Sequence, residues 1–104
     1  MLLTKAKEVL RLSSNVTDTE VTDLIKSAIL DLRRLGVIVP QEVEPTYTGD
    51  VDALLERAIL LYCKANYGYN SDSEKFRSAY EHLASALSLC SDYNTEVNDE
   101  QVGS

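Results

Sequence analysis

A chain of 104 residues, 44% hydrophobic and with only four glycines and two prolines, suits one helix-rich domain with a modest core and leaves no room for a second. Seventeen acidic residues against ten basic ones give a net charge of −7, which argues against a protein that grips nucleic acid, because phosphate binding depends on clustered Lys and Arg. No apolar run reaches the roughly 18 residues that cross a bilayer, and Met1 to Lys5 lack the basic stretch and long apolar run of a secretory signal, so a non-membrane protein that is intracellular when made is expected.

The first helix is expected from Lys5 to about Leu12, with Ala6, Val9, Leu10 and Leu12 apolar and Lys5, Lys7 and Arg11 on a solvated side. It is too short to be stable alone. Ser13, Ser14 and Asn15 interrupt it, after which Thr17 and Glu20 form a capping box that opens a second helix. Val21, Leu24, Ile25, Ala28, Leu32 and Leu35 recur at steps of three and four, making one apolar stripe, and Gly36 supplies the stop. Arg33 and Arg34 close this helix, where cations complement its dipole; contact with an acidic partner is the other reading.

Val37 to Gly49 reads VIVPQEVEPTYTG, and its prolines and β-branched residues exclude helix across most of it. Val37, Ile38 and Val39 could form a short strand, but no partner strand is evident, so an ordered loop open to contact with a neighbour is expected. Asp50 is placed to cap a third helix whose main face is Val51, Leu54, Leu55, Ala58, Ile59, Tyr62 and Ala65. Within it, Ile59 to Cys63 are consecutive apolar residues pointing in every direction. Such a helix must be enclosed by its own bundle or by another subunit, which favours assembly over catalysis and makes Leu60 and Leu61 candidate interface residues.

Gly68 ends the third helix, and Ser71 with Glu74 repeats the capping-box pattern for a fourth, with Phe76, Ala79, Tyr80, Leu83, Leu87 and Cys90 as its buried stripe. The tight connection predicts antiparallel packing of the last two helices. Beyond Tyr93 the sequence loses its periodicity and turns acidic, which divides the chain into a helical domain, residues 1–93, and a flexible tail, residues 94–104, that orders only against a partner.

Catalytic chemistry finds no foothold. His82 is the only histidine and does not share a helix face with Glu81. Asp50 and Asp52, or Asp72 and Glu74, sit at helix starts, where the dipole accounts for them. The glycines are scattered, so no phosphate-binding loop follows. Cys63 and Cys90 read as core thiols, and with one histidine they have no zinc spacing. No catalytic, cofactor or metal residue is therefore expected. Tyr62 and Tyr80 read as core filling between the last two helices, with an interface as the alternative, whereas Tyr67 and Tyr69 at the corner fit corner-fixing and an interface equally.

The run KANYGYNSDSEKFRSAYEHLASALSL from Lys64 to Leu89, together with the opening MLLTKAKEVLRL and a second helix ending in Leu-Gly-Val, resembles the head–tail connectors of tailed double-stranded DNA bacteriophages. The resemblance spans most of residues 1–93. It implies an all-α, non-enzymatic adaptor with no cofactor, assembled in the host cytoplasm and then resident at the head–tail junction of the virion. It also implies a ring of about a dozen copies that binds the portal protein and a head-completion or tail-stopper protein and lets DNA pass without sequence-specific binding. In related adaptors the C-terminal segment reaches the portal, which adds Asp92, Tyr93 and Val97 to Leu60, Leu61, Tyr67, Tyr69, Arg33 and Arg34 as candidate contacts. An acidic ring suits a channel that must not hold phosphates. The alternative from another class is a small helix-turn-helix regulator. It is weakened by Asp18, Glu20, Asp23 and Asp31, against Lys26 as the sole cation, where a recognition helix should carry base-reading side chains.

Overall fold

The computed structural model describes residues 1–11, 18–67 and 72–94. Their regular structure is entirely helical: α1 (Leu2–Val9), α2 (Asp18–Arg34), α3 (Ala53–Asn66), α4 (Ser73–Leu89) and a single turn, α5 (Ser91–Asn94). The protein is a small all-α bundle in which α3 is central, packing against α4, α2 and α1.

α1 begins three residues before the expected Lys5, because Leu2 and Ala6 are the side chains that enter the core. An early start leaves helix-terminal amides in need of acceptors. The Pro45 carbonyl provides one, accepting from Leu3 N at 2.9 Å. Val9, expected on the apolar face, is exposed, and Arg11 leaves the helix in the left-handed region at φ 60°. Nor are the α1 lysines simply solvated: Lys5 pairs with Glu56 at 2.9 Å, and Lys7, its side chain only 17% exposed, pairs with Asp18 at 2.6 Å.

α2 buries Val21, Ile25, Ala28 and Leu32 as the spacing predicts, and adds Ile29. Leu35 falls just beyond the last turn and is exposed. Gly36 stops the helix with a Schellman arrangement: Gly36 N donates to Arg33 O at 3.0 Å and Val37 N to Leu32 O at 2.9 Å, with Gly36 at φ +95°. The accompanying apolar contact is in place too, since Leu32 and Val37 are both buried. The helix starts where the Thr17 capping box puts it, although Thr17 itself lies outside the described residues.

The segment after Gly36 is a loop, as expected, but one that belongs to the core. Val37, Val39, Val43 and Pro45 are buried. A buried loop must satisfy its backbone polar groups. The Arg33 guanidinium does so by donating to Val39 O at 3.0 and 3.3 Å and to Pro40 O at 3.0 Å, while Ile38 N donates to Tyr93 O at 2.7 Å.

α3 is capped by Asp52, not Asp50: its carboxylate accepts from Leu54 N at 2.9 Å and Leu55 N at 3.3 Å. Asp72 occupies the N-cap position of α4, one residue after the expected Ser71, which lies outside the described residues together with Gly68. Tyr62 meets Tyr80 edge to face at 5.2 Å and 76°, and Lys64 lies 4.5 Å over the Phe76 ring. Later residues of α3 thus meet earlier residues of α4, the expected antiparallel pairing. The buried face of α4 is Tyr80, Ala84 and Leu87, with Phe76 and Leu83 half-buried. Ala79 was expected on that stripe but is exposed, because the turn of the helix carries it past the α3 seam; Leu54 is likewise 42% exposed on α3. Cys63 is buried, and burial pushes its thiol up to about 12. Cys90 is half-buried at the C-cap of α4 and not on its buried stripe.

Candidate interaction surfaces

Among the described residues, the expected interface residues do not gather in one patch. Leu60 and Leu61 lie on the outward side of α3, half-buried against the core, in a groove with Val9, Leu54 and Lys64. Tyr67 is half-buried at the C-cap of α3, its amide donating to Cys63 O at 3.0 Å and its side chain packed on the core. Tyr69 and Val97 lie outside the described residues.

The two arginines that close α2 have different surroundings. Arg33 is held by its own loop. Arg34 is exposed and pairs with Asp31, whose other carboxylate oxygen accepts from the Tyr80 hydroxyl at 2.6 Å. This Arg34–Asp31–Tyr80 chain lies in a groove between α2 and the α3–α4 pair, which Arg77 and Glu81 also line. Burial, followed by the hydrogen bond to Asp31, raises the Tyr80 phenol well above its ordinary value. For Asp31, burial acts to raise the carboxyl, but the Tyr80 hydroxyl and the Arg34 guanidinium outweigh it and hold the group below 3.8. The result is a neutral donor locked to a charged acceptor, an arrangement that positions helices and offers no proton to exchange near neutral pH.

Asp92 is exposed on α5, and Tyr93 turns inward. Its hydroxyl donates to Asp52, 3.0 Å from each carboxylate oxygen, so the residue that caps α3 also anchors α5. The hydrogen bond to Asp52 and burial raise the Tyr93 phenol. Nothing local in the sequence announces the Asp52–Tyr93 or Asp31–Tyr80 contact, since 41 and 49 residues separate the partners.

Leu30 is a further surface residue that the helical pattern had not brought forward. It is 64% exposed on the outward side of α2, beside a groove formed with the loop residues Val43, Glu44 and Pro45. The signal was available, because Leu30 falls off the stripe of Val21, Ile25, Ala28 and Leu32.

Among the described residues, no three His, Cys, Asp or Glu side chains are placed to hold a metal ion, and no helix is long and apolar enough to cross a membrane. His82 is exposed on α4.

No curated protein and no solved structure matches the chain. The sequence model of one family, described as phage connector protein, matches residues 2–94, which run from the first residue of α1 to the last of α5. The whole described bundle is thus the family's unit, and the chain belongs to the phage connector protein family.

Proposed function

We propose that this connector acts at the head–tail junction of a tailed phage as a ring of about a dozen copies, bound beneath the portal protein and followed by a head-completion or tail-stopper protein. The family match over the entire helical body carries this reading. The half-buried Leu60 and Leu61 and the exposed Leu54 on the central helix support it, because they are apolar surface that the monomer's own core does not cover. DNA passes through the ring without sequence-specific contact, in keeping with a net charge of −7. The subunit assembles in the host cytoplasm, stays in the virion, and works as a structural part and not as an enzyme. Nothing in the geometry favours the regulatory alternative: Glu20, Asp23 and Lys26 are the exposed charges over the first turns of α2.

Light scattering after size-exclusion chromatography, over a range of concentration and salt and then with the portal protein added, tests the reading. A closed ring, or a monomer that becomes a ring on the portal, is the expected result. A monomer that ignores the portal would overturn it.

A further inference from the structure

Two sides of the subunit left open by the core have opposite character. On one, α3 and α4 bound a groove lined by Arg57, Leu61, Ala79, His82, Leu83 and Ala86. Among the described residues no carboxylate lines this groove, although Glu81 lines the shallow one beside it, which shares His82 and Ala86. Ala79 and Ala86 keep its rim low, and the half-buried Leu61 and Leu83 give it an apolar floor. Arg57 and Leu61 also belong to the adjoining groove with Leu60 and Lys64, whose one carboxylate, Glu56, is already paired with Lys5. This side is mainly apolar, with Arg57 and Lys64 as cations at its α3 edge and Glu81 at its α4 edge.

On the other side, α2 projects Leu30 into solvent. Asp23, seven residues earlier on the same side of the helix, is exposed, as are Glu42 and Glu44 of the loop. Against these three carboxylates stand two cations, Lys26 and Arg33, the latter turned onto the Val39 and Pro40 carbonyls but still charged, so the acidic excess is a single charge. This side is a protruding leucine with acidic flanks.

We propose that these two sides bind each other between copies of the chain: Leu30 of one subunit enters the α3–α4 groove of the next, and Glu42, Glu44 and Asp23 face Arg57 and Lys64. Both halves of the match are on the same polypeptide, which is why a second copy is the occupant. The contact joins unlike faces, so each added subunit presents a fresh copy of both, and association continues into a closed ring or a filament instead of stopping at a dimer. The inference rests on the connector reading for the existence of a self-assembly and adds to it which surfaces meet.

Charge reversal tests the pairing. Arg57→Glu with Lys64→Glu, and separately Glu42→Lys with Glu44→Lys, should each weaken self-association about tenfold, the loss expected when two modest cross-interface ion pairs become repulsive. An equimolar mixture of the two variants should recover association, because each supplies the face the other has kept compatible. An independent readout is oxidative cross-linking of Leu30→Cys combined with Ala79→Cys, in a Cys90→Ser background with Cys63 buried. A ladder of multimers is expected from the double variant and nothing beyond a dimer from either single one. If the wild type assembles, the reversals assemble equally well and no ladder forms, the pairing of faces is wrong and the connector reading stands. If the wild type stays monomeric at every concentration, with the portal protein added as well as without it, and no ladder forms, the proposal falls together with the ring.

Discussion

Asp52 is the residue through which the bundle closes, and replacing it separates the observed cap from the one that spacing suggests. Asp52→Ala removes the acceptor of Leu54 N and Leu55 N at the start of α3 and the acceptor of the Tyr93 hydroxyl from α5. Loss of an N-cap side chain costs about 1 kcal/mol. In a domain of this size, that lowers Tm by about 4–8 °C. The Tyr93 bond is solvent-exposed, so it adds to the effect without dominating it. Asp50→Ala is the control: Asp50 is exposed and takes no part in the cap, so its removal should fall within about 0.5 kcal/mol of wild type. Asp52→Asn, which retains an amide oxygen for the cap, should lie between them. Urea and thermal unfolding followed by far-ultraviolet circular dichroism read all three, and a double-mutant cycle with Tyr93→Phe isolates the link between α5 and α3. Equal losses for Asp50→Ala and Asp52→Ala, or no loss for Asp52→Ala, would refute the reasoning.

Four other outcomes follow from the packing and hydrogen bonding. Ile59→Asp places an unpaired carboxylate at a site with no solvent exposure and should abolish the cooperative transition, since that burial costs several kcal/mol against a typical domain stability of about 5–15; a folded variant would show that α3 is not the centre of the core. Gly36→Ala should cost about 1 kcal/mol through its φ of +95° alone, as no atom lies near the added methyl, and Gly36→Asn should cost less; an unchanged midpoint in urea would remove the Schellman stop. The Asp31 carboxyl titrates below its unfolded value of 3.8, so its stabilisation is complete above that value and disappears as pH falls through the folded one. The stability gap between wild type and Tyr80→Phe should therefore narrow from pH 7 to pH 3, and a gap that widens would contradict the assignment. A chain stopped at Cys90 should be less stable than one stopped at Asn94, because Ile38 N loses its acceptor and Asp52 its tyrosine; equal midpoints would make α5 an ornament.

The repetitive parts of the fold were legible in the sequence because they are set by neighbours three and four residues away. The stripe of α2, its stop at Gly36 and the antiparallel α3–α4 pair all follow from such spacing. What spacing could not supply was the choice between near-equivalent local signals. Asp50 and Asp52 are both competent caps, and the choice falls on Asp52, whose carboxylate also meets Tyr93. Lys5 is a plausible first residue for α1 until Pro45 offers Leu3 an acceptor. Ala79 fits a buried stripe until the α3 seam is seen to pass through Tyr80, Ala84 and Leu87. The candidate surfaces divide in the same way. Leu60 and Leu61 stand out in any reading of an apolar helix, whereas the inward ties of Arg33 and Tyr93 depend on a loop whose path no periodicity describes.

That loop also sets a timetable. Its amide at Ile38 bonds the carbonyl of Tyr93, 55 positions later by residue number, while its Pro45 carbonyl holds Leu3 at the opposite end of the chain. A protein emerges from the ribosome with its N-terminus first, and contacts between distant residues must wait for the later partner to be made. The α1–loop tie can form while synthesis is under way, but the Ile38 tie requires nearly the whole subunit to have left the tunnel. The acidic side carrying Glu42 and Glu44 is consequently among the last surfaces to settle. Nascent chains crowded on one message would thus present this face in its final form only once each has been made nearly to Tyr93.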